Sequence, residues 1–248
     1  STMQIMAEAL GLALPGSALM PATSPDLLDF AREAGRQAVK LALTPGMKPS
    51  EIVTLESFEN AILVHAAISG STNCLLHIPA IAHEFGIEIT GDTFDRLHRG
   101  AHYLLDVRPA GRWPAEVFYY AGGVPAIMKE LTKRDFLDLS LITCTGKTVG
   151  ENLEGVVNKN PEVVRPLENP YSQTGGIAVL WGNIAKNGCV VKRSAVAPEM
   201  MVHEGPARVF DCEEDAISAI YNGKIVPGDV VVIRYEGPKG GPGMREML

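Results

Sequence analysis

Residues 1–150 place apolar side chains at the spacing of amphipathic helices. Glycine, proline and capping residues separate these runs and mark their ends. Ser24-Pro25 is typical of a helix start, Thr54 caps the next run, and Ser71 can cap the run after it. The predicted helices are Thr2–Leu10, a run from Pro25 to Leu41, Leu55–Ile68, about Asn73–Phe85, Asp92–Arg99 and Val124–Leu131.

Strand signals in this half are brief and fall at Tyr103–Val107 and Leu139–Thr143. We therefore interpret residues 1–150 as the C-terminal, helix-rich part of an α/β domain whose strands lie mostly in upstream sequence.

The amino-acid composition changes after Gly150. Residues 151–169 are rich in Asn, Pro and Gly and are therefore predicted to be a linker. Residues 170–248 contain short β-branched runs and one helix, which Asp211-Cys-Glu-Glu214 starts as a capping box and Asn222-Gly223 ends. The predicted strands are Ile177–Leu180, Cys189–Lys192, Ala207–Phe210 and Val230–Tyr235. This part is predicted to be the first portion of a small β-rich domain.

The composition argues against two classes of protein, those that bind nucleic acids and those that span a membrane. The chain has 248 residues, a formal net charge of −7 and 21% charged residues, which is ordinary globular composition without a basic run. Nucleic-acid binding is therefore not indicated. No apolar stretch is long enough to span a bilayer, and the first residues show no leader pattern, so the cytoplasm is the expected location.

The four cysteines lie far apart, without a C-x-x-C pair, and are interpreted as buried small hydrophobic residues. They are Cys74, Cys144, Cys189 and Cys212. A metal site assembled from distant positions is the alternative, but the spacing does not favour it.

Two segments are candidates for chemistry. The glycine- and proline-rich loop Gly237–Met244 leads to Glu246, and such a loop can place a carboxylate beside a cation, although a solvated surface acid is the alternative. Ser71, Thr72 and Asn73 follow Gly70 and form a helix start, where free backbone N–H groups can bind an anion. Lys239 either steers an anionic substrate or is solvated. His65, His77 and His83 are more typical of core or surface positions than of ligands.

Several segments in order resemble the dihydroxy-acid and sugar-acid dehydratase family, which includes dihydroxyacid, phosphogluconate, xylonate and arabinonate dehydratases. The segments are Glu59-Asn-Ala-Ile-Leu-Val-His-Ala-Ala-Ile-Ser-Gly-Ser-Thr-Asn73, Ala121-Gly-Gly-Val-Pro125, Gly175-Gly-Ile-Ala-Val-Leu-Trp-Gly-Asn183, Gly205-Pro-Ala-Arg-Val-Phe210 and the loop before Glu246. Family members are about twice as long, so the chain is similar to the middle of one.

The resemblance implies an α/β domain followed by a swivelling, barrel-like β-rich domain. It implies a hydro-lyase that uses Mg²⁺ and an iron–sulfur cluster, [2Fe–2S] or [4Fe–4S]. In the family's terminal motif Glu246 matches a Mg²⁺ ligand, and the Ser71, Thr72 and Asn73 turn matches a segment near the substrate. The cluster cysteines, a metal-binding Asp and a carbamylated Lys match sequence upstream of Ser1, and the base serine matches sequence beyond Leu248. The chain alone is therefore expected to be inactive and free of cluster.

The substrate stays open between an aldonic acid, which the segments around His65 and His77 favour, and the branched-chain dihydroxy acid of amino-acid biosynthesis. A different class of function is a non-catalytic binding or assembly module. Family members are homodimers or larger, so a homo-oligomer is expected, with the face of Leu27 and Phe30 as a candidate contact.

Overall fold

The computed structural model describes residues 1–237, and the chain divides into two compact units, Ser1–Ala195 and Val196–Leu248. The first unit is mainly helical, with one two-stranded antiparallel sheet near its end. Its elements are α1 (Thr2–Ala9), α2 (Asp26–Leu43), α3 (Pro49–Ile52), α4 (Leu55–Ala67), α5 (Cys74–Glu84), α6 (Gly91–Gly100), α7 (Ala115–Tyr120), α8 (Gly123–Leu131), α9 (Val149–Asn152), β1 (Ala178–Leu180) and β2 (Cys189–Val191).

Helix α4 lies at the centre of the first unit. The Thr54 hydroxyl accepts a hydrogen bond from the Ser57 N–H, which satisfies one of the free donors at the helix start. Phe58, Ile62 and Val64 are fully buried, and α1, α6 and α8 pack around the helix. The helix is apolar from Ala61 to Ala67 except at His65, and it is buried on nearly all sides.

Helix α2 differs from α4, because none of its residues is fully buried. The Gln37 side chain donates a hydrogen bond of 2.6 Å to the Cys144 carbonyl and links α2 to the loop before α9. Leu27 is exposed and Phe30 is half-buried, so part of the apolar stripe of α2 stays at the surface.

The six predicted helices correspond to α1, α2, α4, α5, α6 and α8. The two strands predicted at Tyr103–Val107 and Leu139–Thr143 are wrong. Each segment forms isolated bridges, such as Leu105 with Val164 and Ile142 with Thr148, because no neighbouring segment runs alongside for more than one residue pair.

The segment predicted to be a linker contributes to the core of the first unit. Val163 and Val164 are fully buried, and Leu167 is almost fully buried. The Leu167 N–H also donates to the Glu130 carboxylate at 3.2 Å. The domain division at residues 151–169 stays a prediction.

The described part of the second unit contains β3 (Ala207–Phe210), α10 (Glu213–Tyr221) and β4 (Val230–Ile233), with β3 and β4 parallel. Helix α10 starts one residue later than predicted, because Cys212 is the N-cap, and Asp211 forms an ion pair with Arg234. The predicted fold class, a helix-rich part followed by a part containing a sheet, is confirmed. Within residues 1–237 no helix combines the length and apolar character needed to cross a membrane.

Candidate functional site

The predicted turn Ser71–Asn73 connects the two most apolar helices of the first unit, α4 and α5. The Ser71 N–H donates to the Thr2 hydroxyl at 3.2 Å, so the start of α1 holds the turn from one side. The Ser71 hydroxyl accepts from the Asn73 N–H at 3.3 Å, whereas the N-cap of α5 is Asn73 and not Ser71. The turn is thereby fixed between α1 and α5.

A cavity of about 350 Å³ lies against this turn. Ser71 and Thr72 line it, but Asn73 does not. The backbone N–H of Thr72 has no hydrogen-bond partner among residues 1–237. The other lining side chains are mostly apolar and include Ile5, Leu19, Ile68, Val107 and Phe118. The cavity therefore combines hydroxyl groups and the free backbone donor of Thr72 with an apolar wall.

Two cationic side chains, Arg108 and Lys192, also line the cavity, and no carboxylate does. Neither side chain has a hydrogen-bond or ion-pair partner among the described residues. Lys192 is half-buried just after β2, and desolvation lowers the pKa of its ammonium group from the ordinary value. A partly buried cation without a partner is unfavourable, and a bound anion would relieve it. The electrostatics of the cavity therefore favour an anionic ligand.

Two buried histidines, His65 and His98, lie on the inner side of the turn Ser71–Asn73. His65 Nδ1 lies 3.1 Å from His98 Nε2, and His65 Nε2 lies 2.9 Å from the Ser71 carbonyl oxygen. Burial lowers the pKa of His65 to about 4 and lowers the pKa of His98 well below its ordinary value. Both imidazoles are therefore neutral at neutral pH.

The segment around β1 and β2 packs directly on Ser69, two residues before the turn. The hydroxyl oxygens of Ser69 and Ser194 are 2.5 Å apart, and the Ser194 N–H donates to the Gly176 carbonyl at 3.3 Å. A Cβ at Gly176 would collide with the Ser69 side chain. Glycine at position 176 thus permits the close approach that brings Lys192 to the cavity.

The sequence predicted Ser71, Thr72 and Asn73 as substrate-binding residues, of which the first two line the cavity, and it did not point to Arg108, Lys192 or His98. His65 was taken as an ordinary core or surface histidine, and its partner His98 is 33 residues away. For Lys192 a signal was available, because a lysine that ends the short apolar strand Cys-Val-Val is a cation placed where burial is expected.

No group of three His, Cys, Asp or Glu side chains able to hold a metal ion occurs in the part of the chain that the structure describes. Cys74 and Cys144 are buried as predicted, Cys212 is half-buried, and Cys189 is exposed, which contradicts the prediction. Burial raises the pKa of Cys74 to about 12, so its thiol is not a ready metal ligand. Residues 1–237 therefore do not fit an iron–sulfur cluster or a Mg²⁺ site. Glu246 and Lys239 lie outside the described residues.

Comparison with known proteins gives consistent matches along the whole chain. Residues 1–152 match the family described as dihydroxy-acid/6-phosphogluconate dehydratase N-terminal, and residues 162–248 match the corresponding C-terminal family. The dihydroxy-acid dehydratase of Clostridium kluyveri is 54% identical over all 248 residues, which cover 44% of that relative. The proteins of the same name from Lachnoclostridium phytofermentans and Carboxydothermus hydrogenoformans are 55% and 51% identical over all of the chain, which covers 44% and 45% of them. The chain spans less than half the length of these relatives.

Proposed function

Because the chain belongs to the dihydroxy-acid/6-phosphogluconate dehydratase family, we propose that the protein containing it is a hydro-lyase. The reaction removes water from a 2,3-dihydroxy carboxylate and gives a 2-keto acid. The observation that carries the proposal is identity of 54% along the whole chain to a protein named dihydroxy-acid dehydratase. The cavity beside Ser71 supports it independently, because its two unpaired cations suit a carboxylate.

The proposed substrate is a branched aliphatic dihydroxy acid rather than an aldonic acid. The relatives named above are dihydroxy-acid dehydratases, which favours the alternative over the sugar acid that the sequence first suggested. The residues behind that first suggestion do not support it. Both ring nitrogens of His65 are engaged within the protein, and His77 is exposed on α5. The apolar wall of Ile5, Ile68 and Phe118 suits a branched alkyl group better than a chain of hydroxyls.

In this proposal the lining residues bind and orient the substrate. Lys192 and Arg108 bind the substrate carboxylate. Hydrogen bonds between oppositely charged groups are stronger than those between neutral groups, so these two side chains would supply most of the binding energy of the carboxylate. We expect the hydroxyls of Ser71 and Thr72, which line the cavity, to contact the substrate hydroxyls. The same apolar wall keeps water away from the alkyl end of the molecule.

The proposed cofactors are the Mg²⁺ ion and the iron–sulfur cluster that the family resemblance implies. The described residues do not fit either group, so we derive no step of the reaction through them. Glu246 stays the proposed Mg²⁺ ligand. The proposed assembly is a homo-oligomer, and the proposed location is the cytoplasm.

The test is an assay of the full-length protein on 2,3-dihydroxyisovalerate, gluconate, xylonate and arabinonate, with 2-keto acid formation as the readout. We expect the highest kcat/KM with 2,3-dihydroxyisovalerate. A clear preference for an aldonate would contradict the proposed substrate, and no keto acid from any of them would contradict the proposed reaction. The 248-residue chain serves as the control and should show neither turnover nor stoichiometric iron and sulfide. Turnover by that chain would contradict the assignment of the catalytic groups outside it.

A further inference from the structure

A hydrogen-bond chain with a fixed direction runs through the buried histidine pair. The Ile177 N–H lies 3.2 Å from His98 Nδ1, and a backbone N–H can only donate. His98 Nδ1 is therefore unprotonated, and in a neutral imidazole the proton is on Nε2. His98 Nε2–H then donates to His65 Nδ1 at 3.1 Å. By the same logic His65 Nε2–H donates to the Ser71 carbonyl at 2.9 Å.

A second proton on either ring would break this chain. Protonated His98 would turn Nδ1–H against the Ile177 N–H, and protonated His65 would turn Nδ1–H against His98 Nε2–H. The surroundings oppose protonation as well. Phe94 packs edge-on against His65 with ring centroids 6.0 Å apart, and the nearby charge of Lys192 disfavours a cation at His65. Among residues 1–237 neither ring forms an ion pair with a carboxylate.

Close packing leaves the two rings little freedom to move. A Cβ at Gly70 would collide with the His65 ring, and a Cβ at Gly175 would lie 2.6 Å from His98 Nδ1. The Gly175 N–H also donates to the His98 carbonyl at 2.7 Å. This series of hydrogen bonds ends at the Ser71 carbonyl oxygen, so the His65 ring holds the backbone of the turn that carries Ser71 and Thr72.

We infer that His98 and His65 are positioning residues, which set the orientation of Ser71 and Thr72 in the cavity through a one-way hydrogen-bond chain that starts at the Ile177 amide. The chain of bonds couples the segment before β1 to the start of α5. The effect on substrate binding rests on the proposed function, whereas the tautomers follow from the hydrogen bonds alone.

The first test is spectroscopic and needs no variant with altered folding. In the protein labelled with ¹⁵N-histidine, His65 and His98 should both give a protonated Nε2 and an unprotonated Nδ1, and both patterns should persist from pH 8 to pH 5. His102 is a buried histidine outside the cavity and serves as the reference ring. An Nδ1–H tautomer on either ring, or titration of either ring near pH 6.5, would overturn the inference.

The second test is kinetic and uses the full-length enzyme. His65→Asn loses the donor to the Ser71 carbonyl. We expect KM for the dihydroxy acid to rise about ten-fold with kcat within about two-fold. The displaced turn would lose about one hydrogen bond to the substrate, in the ground state and the transition state alike. His65→Gln keeps an N–H near the position of Nε2 and should restore KM at least in part. His102→Gln should leave both constants unchanged. Equal KM values for His65→Asn and the wild type would overturn the positioning role. A wild-type enzyme with the expected tautomers but no dehydratase activity would instead contradict the proposed function.

Discussion

Asn60 in α4 and Asp138 are joined by two hydrogen bonds, although they lie 78 residues apart in the sequence. The Asn60 Nδ2 donates to the Asp138 carbonyl at 2.9 Å, and the Asp138 N–H donates to the Asn60 Oδ1 at 2.9 Å. Asn60 is buried, so its side-chain amide substitutes for a backbone partner that the loop at Asp138 lacks.

Asn60→Ala should therefore lower the free energy of unfolding by about 2 kcal/mol, because a donor and an acceptor of the Asp138 backbone lose their partner. Urea denaturation of the variant and the wild type measures this difference. Asn187→Ala, at an exposed position, is the control and should change stability by less than about 0.5 kcal/mol. Equal effects of the two substitutions would contradict the structural role of Asn60.

Glu8 should make the stability of the protein fall as the pH rises. Burial raises the pKa of Glu8 to about 7, although its carboxylate accepts hydrogen bonds from the N–H groups of Gly16 and Ala18. Between the ordinary value of 4.5 and about 7 the folded state binds more protons than the unfolded state, so this contribution is present below pH 4.5 and is lost as the pH rises through 7. Glu8→Gln should remove that slope from the denaturation profile. An unchanged slope in the variant would show that Glu8 ionises normally.

The histidine pair His65 and His98 should make the stability of the protein fall as the pH falls, which is the opposite of the effect of Glu8. The folded-state pKa of His65 is about 4 against an ordinary 6.5, so the unfolded state binds more protons in that interval. The stabilisation is complete above pH 6.5 and is lost as the pH falls towards 4. His98→Asn removes one titrating ring and keeps an acceptor for the Ile177 N–H, so its stability should decline less steeply over this interval. His83→Asn, at an exposed position, should leave the decline unchanged.

Lys192→Met should weaken binding of the dihydroxy acid by about ten- to hundred-fold, because a charge-assisted hydrogen bond to the substrate carboxylate is lost while the side-chain length is kept. Isothermal titration with the full-length protein measures the Kd. Lys186→Met removes an equal charge at an exposed position in the loop before β2, six residues before Lys192, and should leave the Kd unchanged. Equal weakening by both variants would point to net charge and not to the cavity.

Gly176→Ala should destabilise the protein by about 1–3 kcal/mol, since its Cβ would collide with Ser69 and force the segment before β1 away from the turn. The matched control is Gly182→Ala, where an added Cβ meets nothing within 4 Å and the backbone φ is not positive. Thermal denaturation of both variants distinguishes a packing effect from a general effect of replacing glycine. A Tm for Gly176→Ala as high as that of the control would contradict the close contact with Ser69.

The sequence allowed prediction of the elements that local pattern controls. Helical spacing and caps such as Thr54 identified the longer helices, and short β-branched runs identified β1 to β4. The segments at Tyr103–Val107 and Leu139–Thr143 have strand-like composition but form isolated bridges, because pairing depends on a distant partner that composition does not specify.

The candidate site was predictable only in part for the same reason. Ser71 and Thr72 were predicted from a glycine followed by a serine that was expected to cap the next helix, although the N-cap is Asn73. The hydrogen bonds that hold their turn involve His98 and Ile177. The cationic side of the cavity includes Lys192. Folding brings these three residues to the turn from distant positions in the sequence. Glu246 was chosen from its loop and from the resemblance, and it stays a prediction.

The segment from Ile177 to Ser194 belongs to the region that matches the C-terminal family, yet it packs in the first compact unit with the region that matches the N-terminal family. Chimaeras between relatives that exchange sequence at residues 152–162 would therefore combine Lys192 and the Ile177 amide of one parent with the histidine pair of another. A crossover placed after Ala195 keeps these partners from a single ancestor, and it is the breakpoint at which we expect shuffled proteins to remain folded.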